Sequence, residues 1–244
     1  MKLGRAILAL GALTAAGWLP ARDLMAMRET EFAGQPGLNA QLEAAHLDRG
    51  LLAAAIFHET NRVRSQFNLP PLKFLAKLND AADLQAEIGG AVRPPSHTNP
   101  FMLVATPLDR VKYAGLNPRY VAENIALTAM LKVSSGHGVG LLSKDGQASF
   151  VDVATLEPLK PHNYTSYAAF VVQAWMDSPG HRANILNPEV SYLGCSVRPT
   201  RGDHGLDMVF CVQVFYTPTR TSNFRSTSQG RQWRSSEEFR HAFR

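Results

Sequence analysis

Cysteine is scarce: Cys195 and Cys211 are the only two in 244 residues, so at most one disulfide can brace the chain. No cysteine stands near the N-terminus to carry a lipid anchor. No internal repeat is present, and the 18 Gly and 15 Pro follow no period, which excludes a collagen-like or low-complexity chain. No apolar run is long enough to favour a stable membrane span. Basic charge is absent where a nucleic-acid groove would need it. The net charge is +5, but residues 1–21 carry +2 and residues 219–244 carry +4, leaving −1 for 22–218. Basic side chains clustered on the fold mark a nucleic-acid binder, and the body of this chain has no such excess.

What remains is a chain able to bury a core, with 45% apolar and 18% charged residues. Lys2 and Arg5 followed by the apolar stretch Ala6 to Leu19 read as an export signal or N-terminal anchor over 1–26, with Ala21 or Ala26 as candidate ends. Residues 27–46 read as a linker. A helix is predicted over about 47–68 from Leu52, Ile56, Val63 and Phe67 on one face, stopped by Asn68-Leu69-Pro70-Pro71. A second is predicted over about 75–89, and a short one from Leu108 to Ala114. Residues 132–163, rich in glycine, read as an inserted excursion. Helical period resumes at Tyr164, Ala168, Val171 and Trp175, and Ser178-Pro179 opens a further helix with Ser178 as N-cap.

Two strands then follow. Met208 to Tyr216 is apolar at both parities, as expected of a strand covered on both faces. The turn-rich stretch Arg201-Gly202-Asp203-His204-Gly205 lies midway between the two cysteines. A hairpin centred at residue 203 would set Cys195 opposite Cys211, so a cross-strand disulfide is expected in an oxidising compartment. Residues 218–244 read as a mobile basic tail, a solvated extension in the first instance, with surface attachment to anionic lipid or wall polymer as the sharper alternative.

Three segments offer polar groups able to converge: His97 in a proline-bounded loop, Glu123, and His181 in a helix's first turn. The positive end of a helix disfavours an imidazolium there, and a neutral imidazole suits a metal ligand or general base. Two His and one carboxylate could hold zinc with an open position.

Several ordered motifs carry a resemblance. They are Ser96-His97-Thr98, Pro107-Leu108-Asp109-Arg110, Glu123-Asn124-Ile125-Ala126 and Trp175-Met176-Asp177-Ser178-Pro179-Gly180-His181-Arg182-Ala183-Asn184-Ile185-Leu186. Over about 47–217, outside the insertion, the chain resembles the CAP superfamily of cysteine-rich secretory, antigen-five and pathogenesis-related proteins, in its bacterial exported branch.

The resemblance implies an α+β fold: a three-layer α-β-α sandwich with a central, mainly antiparallel sheet. It implies a cleft where two His and two acids meet. His97, Glu123 and His181 match three of the four, Ser178 stands at the second acid, and Ala122 replaces the usual Gly. Two readings follow. One is an exported, monomeric, non-enzymatic module that holds a lipid, wall component or protein ligand in this cleft, needs no cofactor and contacts no nucleic acid. The other is a metal-assisted hydrolase or peptidase using His97, Glu123 and His181, with a weakly bound zinc. With Ser178 in place of a carboxylate, zinc affinity is expected to be low.

Overall fold

In a computed structural model, residues 20–219 are described, apart from 135, 145 and 146. The apolar segment read as a signal (1–19) and the basic tail from 220 onward lie outside the described residues. Helices α1 (Ala21–Ala26) and α2 (Glu29–Phe32) lead into α3 (Arg49–Gln66), β1 (Lys73–Phe74), α4 (Ala76–Gly89) and α5 (Pro107–Tyr113). Then come β2 (Pro118–Ala129), the hairpin β3 (Val139–Lys144) and β4 (Gln147–Asp152), α6 (Tyr164–Asp177), α7 (Pro179–Ile185), β5 (Tyr192–Arg201) and β6 (Asp207–Pro218). No helix among the described residues is long and apolar enough to cross a membrane.

The four-stranded sheet runs β1-β5-β6-β2, antiparallel except for the short parallel pair β1–β5. β6 lies inside it, and the parity read from the sequence now has its physical cause. Phe210, Val212, Val214 and Tyr216 belong to one buried cluster with Leu78, Ala82 and Ala86 of α4 and Val111 of α5. Val209, Cys211 and Phe215 belong to another with Leu52 and Ile56 of α3 and Val171 and Trp175 of α6. One strand thus serves both halves of a three-layer sandwich, and its neighbours must have small residues where helices press closest. A Cβ on Gly194 of β5 would stand 2.7 Å from the Leu78 carbonyl oxygen, so only glycine lets α4 lie this close.

The predicted helices form within two residues of their expected bounds. Asn163 caps α6 by accepting from the Ser166 amide at 2.7 Å, and Trp175 donates its indole N–H to the Ile125 carbonyl. Phe67 departs from its expected place on the core face. α3 ends at Gln66, Asn68 takes a positive φ, and Phe67 is turned outward beneath the Arg182 guanidinium. Ser178 opens α7 through its carbonyl, which accepts from Arg182; its hydroxyl makes no capping bond.

Two further expectations are corrected. Residues 27–46 are no free linker: Phe32, Leu38 and Leu42, with Leu24 and Met25 before them, are buried in the α3–α6 cluster. His58 of α3 meets the Leu24 carbonyl at 2.8 Å and stacks on Phe32. Helical periodicity is weak in so short a segment, so its apolar residues were not legible as core. The insertion does form a hairpin, β3–β4, as a separate two-stranded sheet.

The expected disulfide is absent; both cysteines are free and fully buried. The connecting loop spans Gly202 to Leu206, with Arg201 paired to Asp207, so the axis falls at residue 204 rather than 203. Cys195 therefore faces Gln213 and Cys211 faces Val197. The two residues share a face but sit diagonally, where residues are spaced about 7–8 Å apart, beyond ordinary disulfide reach. Burial pushes the Cys195 thiol well above its usual range and the Cys211 thiol up to about 12. Both should resist alkylation in the native protein and both should be modified after unfolding without reductant. Linked peptides in a non-reducing map would contradict this register.

Burial also lowers His58 and His162, the latter to about 4 with help from the Lys132 charge. A folded-state value below the ordinary 6.5 means the unfolded chain takes the proton first. The His162 contribution is complete above about pH 6.5 and is lost as pH falls toward about 4, and His58 acts in the same direction. Denaturant midpoints should drop through that window, and His162→Phe should flatten the slope. An unchanged slope in the variant would show that His162 is not the group responsible.

Candidate functional site

The site is built around Arg110. Thr106 and Asp109 cap α5 reciprocally, which turns the Arg110 side chain into the protein, where it is wholly buried. A buried guanidinium has to find acceptors. It donates to the carbonyls of Val104 (3.1 Å), Ala105 (3.2 Å) and His97 (3.0 Å), and to Glu123 Oε2 at 2.7 Å. One cation therefore fixes both ends of the 97–105 loop against β2. Among the described residues its Nε has no partner.

Glu123, with a side chain 1% exposed, spends its other oxygen on the loop. Its Oε1 lies 2.9 Å from His97 Nδ1. A carboxylate only accepts, so Nδ1 carries the proton when the ring is neutral. Nε2 is then left with its lone pair, on a side chain 47% exposed. The arrangement orients an imidazole and presents one edge of it outward.

His181 is brought in from another direction. Asn124, next to Glu123 on β2, donates to the His181 carbonyl at 3.2 Å and to Gln213 Oε1 at 3.1 Å, and accepts from Asn184 at 2.9 Å. Gln213 in turn donates to Thr60 of α3. At the far end of α7, buried Arg64 donates to the Ile185 carbonyl at 2.6 Å. Burial, and then the proximity of His97, lower the His181 imidazole, so the two rings are near enough to sense each other and the neutral form is favoured.

The four residues singled out in the sequence thus divide. His97 and Glu123 are bonded, and His181 is their electrostatic neighbour. Ser178 lies at the α6–α7 corner, where its neighbour Asp177 is bonded to Gln173. Among the described residues no three His, Cys, Asp or Glu side chains are grouped to hold a metal ion, the expected zinc set of His97, Glu123 and His181 included. Each oxygen of Glu123 accepts one hydrogen bond, from Arg110 and from His97. In the sequence Arg110 stands out only as part of a motif. Its signal is a carboxylate in the middle of a sheet strand, which calls for a cation nearby once buried.

A cavity of about 310 Å³ lies apart from this site, under the N-terminal segment, lined among others by Phe32, Leu38, Ala55, His58 and Ala168. It involves none of the four residues.

The family profile described as "Cysteine-rich secretory protein family", CAP, matches residues 57–215. The chain belongs to the CAP family. Solved structures similar to this CAP domain include an extracellular SCP-domain protein from Bacillus anthracis, at 24% identity and TM-score 0.46, covering 69% of this chain and 41% of that one. An outer surface protein from Borrelia burgdorferi matches at 18% identity and TM-score 0.42, covering 67% and 90%. A cysteine-rich secretory protein from Staphylococcus aureus matches at 13% and 0.41, covering 69% and 39%. This chain thus spans less than half of the Bacillus and Staphylococcus chains. No curated protein matches it.

Arg110→Met should leave the Glu123 carboxylate buried without its cation and cost about 3–5 kcal/mol in denaturant unfolding. Adding Glu123→Gln should recover part of that loss. If the double variant is no better than the single one, the ion pair is not what holds this corner together.

Proposed function

We propose that the protein is an exported, non-enzymatic binding module whose cleft at His97 and His181 holds a lipid, wall component or protein ligand. The observation that carries this reading is the double commitment of Glu123. With one oxygen on Arg110 and the other on His97, the carboxylate is committed to orienting an imidazole and balancing a buried guanidinium. No Ser, Cys or Thr is bonded to either histidine ring among the described residues, so no activated nucleophile supports a hydrolytic reading. An oriented imidazole edge beside a second neutral imidazole offers hydrogen bonds to a ligand's hydroxyl, phosphate or carbonyl groups. The apolar N-terminal stretch, Lys2 and Arg5 followed by Ala6 to Leu19, supports export.

Native mass spectrometry with metal analysis tests the reading. Protein purified without denaturation should carry an organic ligand, and His97→Ala should lower its retention by about tenfold, the worth of a lost charge-oriented hydrogen bond. One equivalent of zinc, lost in the same variant, would replace the binding reading with the metal-assisted hydrolase.

A further inference from the structure

The loop that carries His97 also carries the most exposed apolar stretch among the described residues. Phe101, Met102 and Leu103 are 53%, 90% and 77% exposed, so almost nothing in the protein touches the tip. It is nevertheless braced. Asn99 accepts from the Phe101 amide and donates to the Val104 carbonyl, its own amide reaches the Ala105 carbonyl, and Arg110 holds Val104 and Ala105 from beneath. Three large apolar side chains are held out in water by a rigid base.

The charge around this tip selects a partner. Leu108, 42% exposed, continues the apolar surface onto α5. Exposed Lys112 lies one turn further on. Lys77 reaches the end of the same helix, its ammonium 3.5 Å from where a Cβ of Gly115 would stand. Of the acids here, Asp109 is turned into its cap with Thr106 and feels the Lys112 charge, and Asp80 feels that of Lys77. Beside this helix end the Thr219 amide meets the Asn117 carbonyl. The sequence beyond that point carries six Arg against two Glu, with Phe224, Trp233, Phe239 and Phe243 among them.

We propose that this face docks on an anionic lipid bilayer, with Phe101, Met102 and Leu103 entering the headgroup–acyl boundary and Lys77 and Lys112 meeting the lipid charge. A projecting tip needs no complementary pocket in a bilayer, and basic side chains beside an apolar insertion add attraction to anionic headgroups. The proposal is independent of the cleft's ligand: a vesicle-bound chain with an empty cleft would uphold this inference and not the other.

Cys195 and Cys211 are fully buried, so a cysteine introduced by Met102→Cys in the full chain can be labelled selectively with a polarity-sensitive fluorophore. Vesicles with about one-third phosphatidylglycerol should shift its emission to the blue, and neutral vesicles should do so less. The same label introduced by Asp203→Cys should not respond. Met102→Asp with Leu103→Asp, both at exposed positions, should lower partitioning by about tenfold or more. A chain that sediments with vesicles while the residue-102 label stays open to an aqueous quencher would overturn the proposal, since another segment would be the anchor. Absence of vesicle binding would overturn it too. So would a shift on concentrating the protein without lipid, which would identify a second copy as the occupant.

Discussion

The guanidinium of Arg110 has no water to turn to, and much of the candidate site follows from that. Each acceptor it takes is a commitment: three backbone carbonyls define the path of the 97–105 loop, and one carboxylate oxygen ties that loop to β2. A buried carboxylate beside a buried guanidinium is stable only while both partners remain. Glu123 therefore works as a structural anion that happens to aim a histidine. The same pair sets the electrical character of the corner, because the negative charge near His97 is already balanced from behind.

The three-layer architecture was legible in the sequence wherever periodicity was long and unambiguous. Both parities of Met208 to Tyr216 are apolar because α4 and α5 press on one face of β6 and α3 and α6 on the other. Trp175 and Val171 were legible as core from a single face of helical spacing, and both are buried. What escaped depended on counts and contacts that pattern does not encode. The cysteine pairing failed on the position of the turn, whose centre lies one residue later than expected and so moves every partner across the hairpin by two. Phe67 failed because a helix ended one residue sooner than its apolar stripe. The segment from 27 to 46 packs through scattered apolar residues with no period to announce them.

The site was legible as a set of residue types and not as a geometry. His97 and Glu123 were found together, and His181 beside them. The roles were redistributed by a residue whose charge looked like one more surface arginine on a short helix. Arg64, Asn124 and Gln213 escaped for a related reason. Buried polar side chains that satisfy backbone groups leave no repeating mark, yet they decide where α7 sits and how β2, β6 and α3 are stitched together. One short loop consequently presents two kinds of surface, a polar edge at His97 and an apolar tip five residues later, on one brace.

α7 is held by its main chain. Asn124 grips the carbonyl of His181, Arg64 grips that of Ile185, and the Ser178 carbonyl accepts the helix's first bond. None of these grips depends on which side chain stands at 178 or 181. The helix is in effect a mounting rail: its fittings can be exchanged over evolutionary time while the rail stays bolted in place. A relative with a carboxylate at the corner and this chain with a serine can share one frame and differ in what they recognise.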